Sequence, residues 1–285
     1  MSANAITSKV SLQNTIEILT HGKPAMMITA ATVVSAVASL IFGSLYLGGF
    51  SSFIIPTLWS AAWVAGSVAL MGMQVLTDYA PNLCKMIYGF IQGQPKILIN
   101  GMWKGENINN AHFFDHRLSK ELCLFFREER AQSVADFGCG TGEYVQKIRN
   151  QLNIQADGFD GNPDTPFISK GTCQTLDLSN PITLNPKYDW IISFEVGEHL
   201  PKQYEQSFID NLIVNSEKGI VLSWAKKGQG GHGHFNEQNN DYIKAIFEKK
   251  GWFNDVETER RLRNASYPIY FWFYETIMVF RKPQS

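Results

Sequence analysis

The chain has 285 residues, a formal net charge of −1, 45 % hydrophobic and 13 % aromatic content, and only 18 % charged residues. Such a composition excludes an intrinsically disordered chain, and a near-neutral balance without a basic block argues against a nucleic-acid partner gripped through its phosphates. The four cysteines, Cys84, Cys123, Cys139 and Cys173, show no Cys-x-x-Cys spacing, so they read as reduced thiols of a cytosolic environment and not as a secreted disulfide scaffold.

The shortage of charge has a location. From Pro24 to Thr77, 54 positions carry no Asp, Glu, Lys, Arg or His. Gly48, Gly49, Phe50, Ser51 and Ser52 divide the run into apolar stretches at 25–47 and 53–76, each about the 20 residues a helix needs to cross a bilayer. Small residues recur every fourth position, Ala31, Ser35, Ser39 and Gly43 in the first stretch and Ala61, Ala65 and Ala69 in the second, a spacing that lets two helix backbones approach closely. Residues 24–77 therefore predict a two-helix transmembrane hairpin with the lipid bilayer as partner. Lys9 and Lys23 precede it, Lys85 and Lys96 follow it, and its turn is uncharged, so both ends are expected to face the cytosol. That makes residues 1–23 a cytosolic segment and 78–110 a juxtamembrane linker, with Leu83, Ile87 and Phe90 at helical spacing.

From Ala111 onward the pattern changes to alternating helix and strand over 175 residues, a single-domain length. A helix is predicted over 112–130, with Leu118, Leu122, Phe125 and Phe126 on one side. A strand at 133–137 then runs into Gly138-Cys139-Gly140-Thr141-Gly142, and a helix follows with Tyr144, Ile148 and Leu152 spaced by four. Glycines in such a turn permit positive φ and leave no Cβ to block a ligand lying over the helix N-terminus. A second strand ends at Asp160, followed by Gly161, and a short strand and loop span 172–178 and include Asp177. The apolar strand Tyr188–Phe194 leads into Glu195-Val-Gly-Glu198-His199, a helix over 202–215 follows, and 219–224 forms a fifth strand. The remainder predicts a glycine-rich loop at 227–236 suited to a lid, a helix over 239–250 and two strands, the last over 271–281.

The spacing Asp136-x-Gly138-x-Gly140-x-Gly142 lacks the Gly-x-Gly-x-x-Gly of dinucleotide enzymes and resembles the first motif of the class I S-adenosylmethionine-dependent methyltransferases. The resemblance covers 111–283 and implies an α/β, Rossmann-like seven-stranded sheet with a reversed final strand. It also implies S-adenosylmethionine as cofactor, held by Asp136, Gly138, Cys139, Gly140 and Gly142, by Asp160 at the ribose hydroxyls, by Gly161 beneath the adenine, and by Asp177 at the adenine amino group. Glu195, first after its strand, is expected near the cofactor.

In open α/β sheets ligands lie beyond the carboxyl ends of the strands, where this chain gathers histidines. His199 follows the fourth strand, and His232 and His234 occupy the loop after the fifth. Glu198, His199, His232 and His234 are the candidate catalytic residues. Two chemistries stay open: a histidine base taking a proton from the methyl acceptor, or a divalent metal held by Glu195, Glu198 and His199 with His232 or His234. The second resembles the Glu-x-x-Glu-His motif of the small-RNA 2′-O-methyltransferases and the ubiquinone-pathway O-methyltransferases. The expectation is a membrane-anchored methyltransferase acting on an oxygen, and less on a nitrogen, of a small molecule, lipid or membrane-associated acceptor. A catalytically silent, membrane-tethered adenosyl-binding module is the alternative.

Overall fold

The computed structural model describes residues 96–105, 112–266 and 271–283. The expected membrane hairpin, the segment before it and most of the linker lie outside the described residues. Among the described residues no helix is long and apolar enough to cross a membrane.

The domain is a seven-stranded sheet in the order β5-β4-β3-β6-β7-β9-β8. Its strands are β3 (Ser133–Phe137), β4 (Gln155–Asp160), β5 (Cys173–Thr175), β6 (Tyr188–Ser193), β7 (Ser216–Leu222), β8 (Phe253–Asn254) and β9 (Met278–Arg281). The pairs β3–β4, β3–β6, β4–β5 and β6–β7 are parallel, whereas β9 runs antiparallel between β7 and β8. This is the Rossmann-like order with a reversed last strand. β3 sits at the point where the strand order turns, so the crevice of such a sheet opens at its carboxyl end.

Period-two alternation divides the apolar residues between the two faces. Val134, Trp190, Ile192 and Val221 pack into one core with Leu118, Leu122, Phe126 and Ile148. Ala135, Ile191, Ile220 and Leu222 pack into the other with Phe208, Leu212 and Phe247. These side chains come from helices α1 (His116–Glu128), α2 (Glu143–Leu152), α4 (Glu205–Val214) and α5 (Asn240–Lys249); the single-turn α3 (Thr165–Ile168) and α6 (Val256–Ser266) complete the layers. Trp190 is fully buried over Gly219, where an added Cβ would meet its ring at 2.2 Å.

Three expectations are corrected. The first helix starts at His116 and not at His112, because Asp115 caps it by accepting the amides of Arg117 and Leu118 at 2.8 and 3.0 Å. The expected last strand over 271–281 is instead helix α7 (Phe271–Thr276) followed by β9. A contiguous aromatic run carries no period that separates helix from strand. Tertiary contacts decide it: Phe273 is buried against Phe194 at 5.6 Å between ring centroids, and Trp272 lies 5.8 Å from Phe113. Finally, residues 96–105, expected as linker, form a hairpin of β1 (Lys96–Ile97) and β2 (Trp103–Lys104) that packs on the domain.

Candidate active site

The glycine turn is built by positive φ at Gly138, Gly140 and Gly142, of 88°, 52° and 76°. The amides of Gly138 and Cys139 both donate to the carbonyl of Phe159, at 2.7 and 3.2 Å, which ties the turn to β4. Asp160, at the end of β4, accepts from the Gly140 amide at 2.9 Å and from the Asn162 amide at 2.9 Å. Its carboxylate thus locks the turn while lying half-exposed at the carboxyl end of β4. Asp136 is buried, and burial, reinforced by Cys173 and Asp160, pushes its carboxyl well above the ordinary value. A cationic group placed beside it would favour the ionised form. Cys139 and Cys173 are free thiols packed together over Gly158, whose added Cβ would meet both sulfurs.

Asp177 does not present a free carboxylate. Its Oδ1 accepts from the amide and hydroxyl of Ser179 at 2.9 and 2.6 Å, and its Oδ2 accepts from Asn180 at 2.9 Å and from Asn100, on the hairpin, at 3.1 Å. Asn100 has no signal in the sequence, because a two-residue strand shows no periodicity.

On the other side of the crevice, Glu195, two residues past the end of β6, has φ of 52°, an unusual conformation for a side-chain-bearing residue. Glu195 Oε2 accepts from Gln229 at 2.9 Å and Oε1 from the Thr276 hydroxyl at 3.2 Å. Burial pushes its carboxyl above the ordinary value against the hydrogen bonds that hold it. The 3-10 turn Gly197–His199 follows directly. Its Glu198 carbonyl accepts from the amides of Phe235 and Asn236 at 2.8 and 2.9 Å, and this pair of bonds fastens the loop after β7 beside it.

That loop is pinned rather than free to fold as a lid. Trp224 Nε1 donates to the Asn236 carbonyl at 2.7 Å, Asn236 Nδ2 donates to Glu205 at 2.9 Å, and the Gly228 and Gly230 amides donate to Glu237 at 2.7 and 2.6 Å. The result is that Glu198, His199 and His234 each offer one ligand atom, all within 4.8 Å of one another. Glu195 and His232 are not in that set. The His232 ring lies 5.9 Å from Trp103, which also meets His199 at 4.9 Å and His112 at 5.6 Å.

The hydrogen bonds settle the tautomers of both histidines in the set. His199 Nδ1 is 3.1 Å from the Gly233 carbonyl, which only accepts, so Nδ1 carries the proton and Nε2 keeps its lone pair. His234 Nδ1 lies 2.9 Å from Glu237. Burial opposes ionisation of Glu237, but His234 and the two glycine amides outweigh it and hold the carboxyl below its ordinary value, so His234 also donates from Nδ1. Burial, with the neighbouring His234, pushes the conjugate acid of His199 down to about 3, so its ring is neutral. Both oxygens of Glu198 are buried and neither makes a hydrogen bond of ordinary geometry among the described residues, although the Glu195 carboxyl and the Ala225 backbone lie close by. Burial, and then the charge of Glu195, pushes its carboxyl well above the ordinary value.

The fold and this crevice define an S-adenosylmethionine-dependent methyltransferase. The family model described as "Methyltransferase domain" matches residues 110–255, and the chain belongs to that family. No curated protein matches the chain. Among solved structures it is similar to magnesium protoporphyrin IX methyltransferase from Synechocystis PCC 6803 with bound S-adenosylhomocysteine, at 16 % identity over 69 % of this chain and 93 % of that one, with a TM-score of 0.47. It is also similar to the methyltransferase domain of bacterial CtHen1, at 16 % identity over 59 % and 98 % with a TM-score of 0.43. For the plantazolicin methyltransferase BpumL the identity is 10 % over 60 % and 83 %, with a TM-score of 0.43.

Proposed function

We propose that the chain methylates a hydroxyl oxygen and that Glu198, His199 and His234 hold a divalent metal at the acceptor. The observation that carries this reading is Glu198: a carboxyl with two buried oxygens that make no hydrogen bond of ordinary geometry, beside two imidazoles whose Nδ1 protons are already committed. Such a carboxyl costs stability unless something meets it, and imidazoles oriented through Nδ1 present Nε2 as metals require. A divalent cation bound there would acidify an acceptor hydroxyl. Histidine base chemistry at His199 fits less well, since a conjugate acid near 3 makes a weak base at neutral pH. His232, outside the three-donor set, is the group we assign to receive the acceptor's proton. The acceptor oxygen attacks the cofactor's methyl carbon as the sulfur–methyl bond breaks, leaving S-adenosylhomocysteine. Asp136, the Gly138–Gly142 turn and Asp160 hold the cofactor on the side opposite the histidines.

The 54 uncharged positions and their flanking lysines support the further proposal that the chain is anchored in a membrane with this site facing the cytosol, and that the acceptor is a small molecule or lipid met there. The metal reading is tested by titrating Mn²⁺ into the full chain in detergent and following free Mn²⁺ by electron paramagnetic resonance. One tight site is expected in the wild type, lost in Glu198→Gln and His234→Ala and kept in His232→Ala. Equal binding by all four proteins would overturn it.

A further inference from the structure

The hairpin lies across the mouth of the crevice, and its contacts are unusually close. An added Cβ on Gly101 would lie 1.9 Å from the His199 carbonyl oxygen, and one on Gly161 would lie 2.2 Å from the Met102 sulfur. Asn162 Nδ2 donates to the Gly105 carbonyl at 3.4 Å. The turn at 98–102 is closed by Leu98 and Met102, with the Leu98 amide donating to the Met102 carbonyl at 2.8 Å. Asn100 therefore sits at the tip of an element seated between the carboxyl end of β4 and the turn after β6, over the region where a doubly wound sheet receives its nucleoside.

Asn100 carries an unmet acceptor. Its Nδ2 donates to Asp177, whose oxygens also accept from Ser179 and Asn180, and that acceptor role assigns the amide orientation. Oδ1 is left buried and without a hydrogen-bond partner among the described residues. A carboxylate offers about four acceptor positions, and Asp177 already uses them on Ser179, Asn180 and Asn100. Of these two side chains, only Asn100 keeps an acceptor without a hydrogen-bond partner among the described residues.

We propose that Asn100 reads the 6-amino group of the cofactor's adenine through Oδ1, with Asp177 as the positioning residue that sets the amide. Met102, whose polarizable thioether lies on Gly161, supplies an apolar surface suited to a purine ring. The inference rests on S-adenosylmethionine being the cofactor and adds a discriminating contact from a segment that precedes the seven-stranded sheet in the chain and is not part of it.

The test uses the full chain in detergent and two probes, S-adenosylhomocysteine and S-inosylhomocysteine, in which the 6-amino donor is replaced by an oxygen acceptor. The wild type is expected to prefer the adenosyl compound by about tenfold or more, the loss of one buried hydrogen bond. Asn100→Ala is expected to bind the two within about twofold, with an unchanged unfolding temperature, and Lys104→Ala, exposed on the same hairpin, to behave as wild type. Asp177→Ala is expected to reduce the preference while leaving some of it. Preference retained in Asn100→Ala, or abolished only in Asp177→Ala, would overturn the assignment and return the contact to the acid. A wild type that binds neither probe would instead overturn the cofactor itself, and this assignment with it.

Discussion

Glu198→Gln separates function from stability, because it keeps the volume of a fully buried side chain while removing its charge. Unmet buried polar groups cost about 1–3 kcal/mol each. The glutamine amide leaves its own two polar atoms equally unmet, so the gain comes from removing the ionisable group. For a domain of this size each 1 kcal/mol of that gain should raise Tm of the metal-free variant by about 2–4 °C. The sign follows from the raised carboxyl. A group whose folded pKa lies above its ordinary value of 4.5 contributes its full stability below that value and loses it as pH rises toward the folded value. Wild type in EDTA should therefore lose stability as pH rises above about 4.5, and the variant should lose less. With Mn²⁺ at 100 times its Kd, the wild type should gain about 2.7 kcal/mol and the variant nothing. Thermal unfolding followed by near-ultraviolet circular dichroism, with EDTA and with Mn²⁺, reads all of these. A variant that is less stable in EDTA and still responds to Mn²⁺ would refute the reasoning.

Other substitutions probe the rest of the crevice. Asp160→Ala removes the acceptor of the Gly140 and Asn162 amides and should weaken S-adenosylmethionine binding by about 1.5–3 kcal/mol, read by calorimetry; an unchanged Kd would remove Asp160 from the site. Affinity for Mn²⁺ should rise with pH from 5 to 7, because binding releases the proton of Glu198 whereas His199 is already neutral; a flat profile would contradict the ligand set. Gly101→Ala, at φ of 86° and against the His199 carbonyl, should undock the hairpin and speed trypsin cleavage at Lys96 and Lys104, with no change if the hairpin is not seated there.

The glycine turn and the acid that closes on it are legible in the sequence because glycine spacing and strand-terminal acids are local signals. Gly138, Gly140 and Gly142 have the positive φ their spacing suggests, and Asp160 closes on the turn they make. Asp177 has its oxygens taken by the nearby Ser179 and Asn180 and by Asn100 from 77 positions away, and no local pattern links that last partner to it. Five acids and histidines compete for one role in the sequence, and only folding sorts them. Glu195 is diverted to Gln229 and Thr276, while the bonds from Phe235 and Asn236 to the Glu198 carbonyl bring His234 across 36 positions to Glu198. The aromatic run before β9 reads as strand from composition alone, and the long-range contacts of Phe273 make it a helix. The hairpin at 96–105 is silent for a different reason: its strands are two residues each, and its seat is made by glycines on both sides of the seam.

The metal proposed at Glu198, His199 and His234 is one that methyl transfer to oxygen needs. Its most direct test incubates the full chain with methyl-labelled S-adenosylmethionine and a cytosol-and-membrane extract, and follows label entering the extract after EDTA treatment and after restoring Mg²⁺ or Mn²⁺. Transfer is expected to be abolished by EDTA, restored to the wild type by metal, and absent under either condition in Glu198→Gln. Transfer that continues undiminished after complete chelation would contradict it.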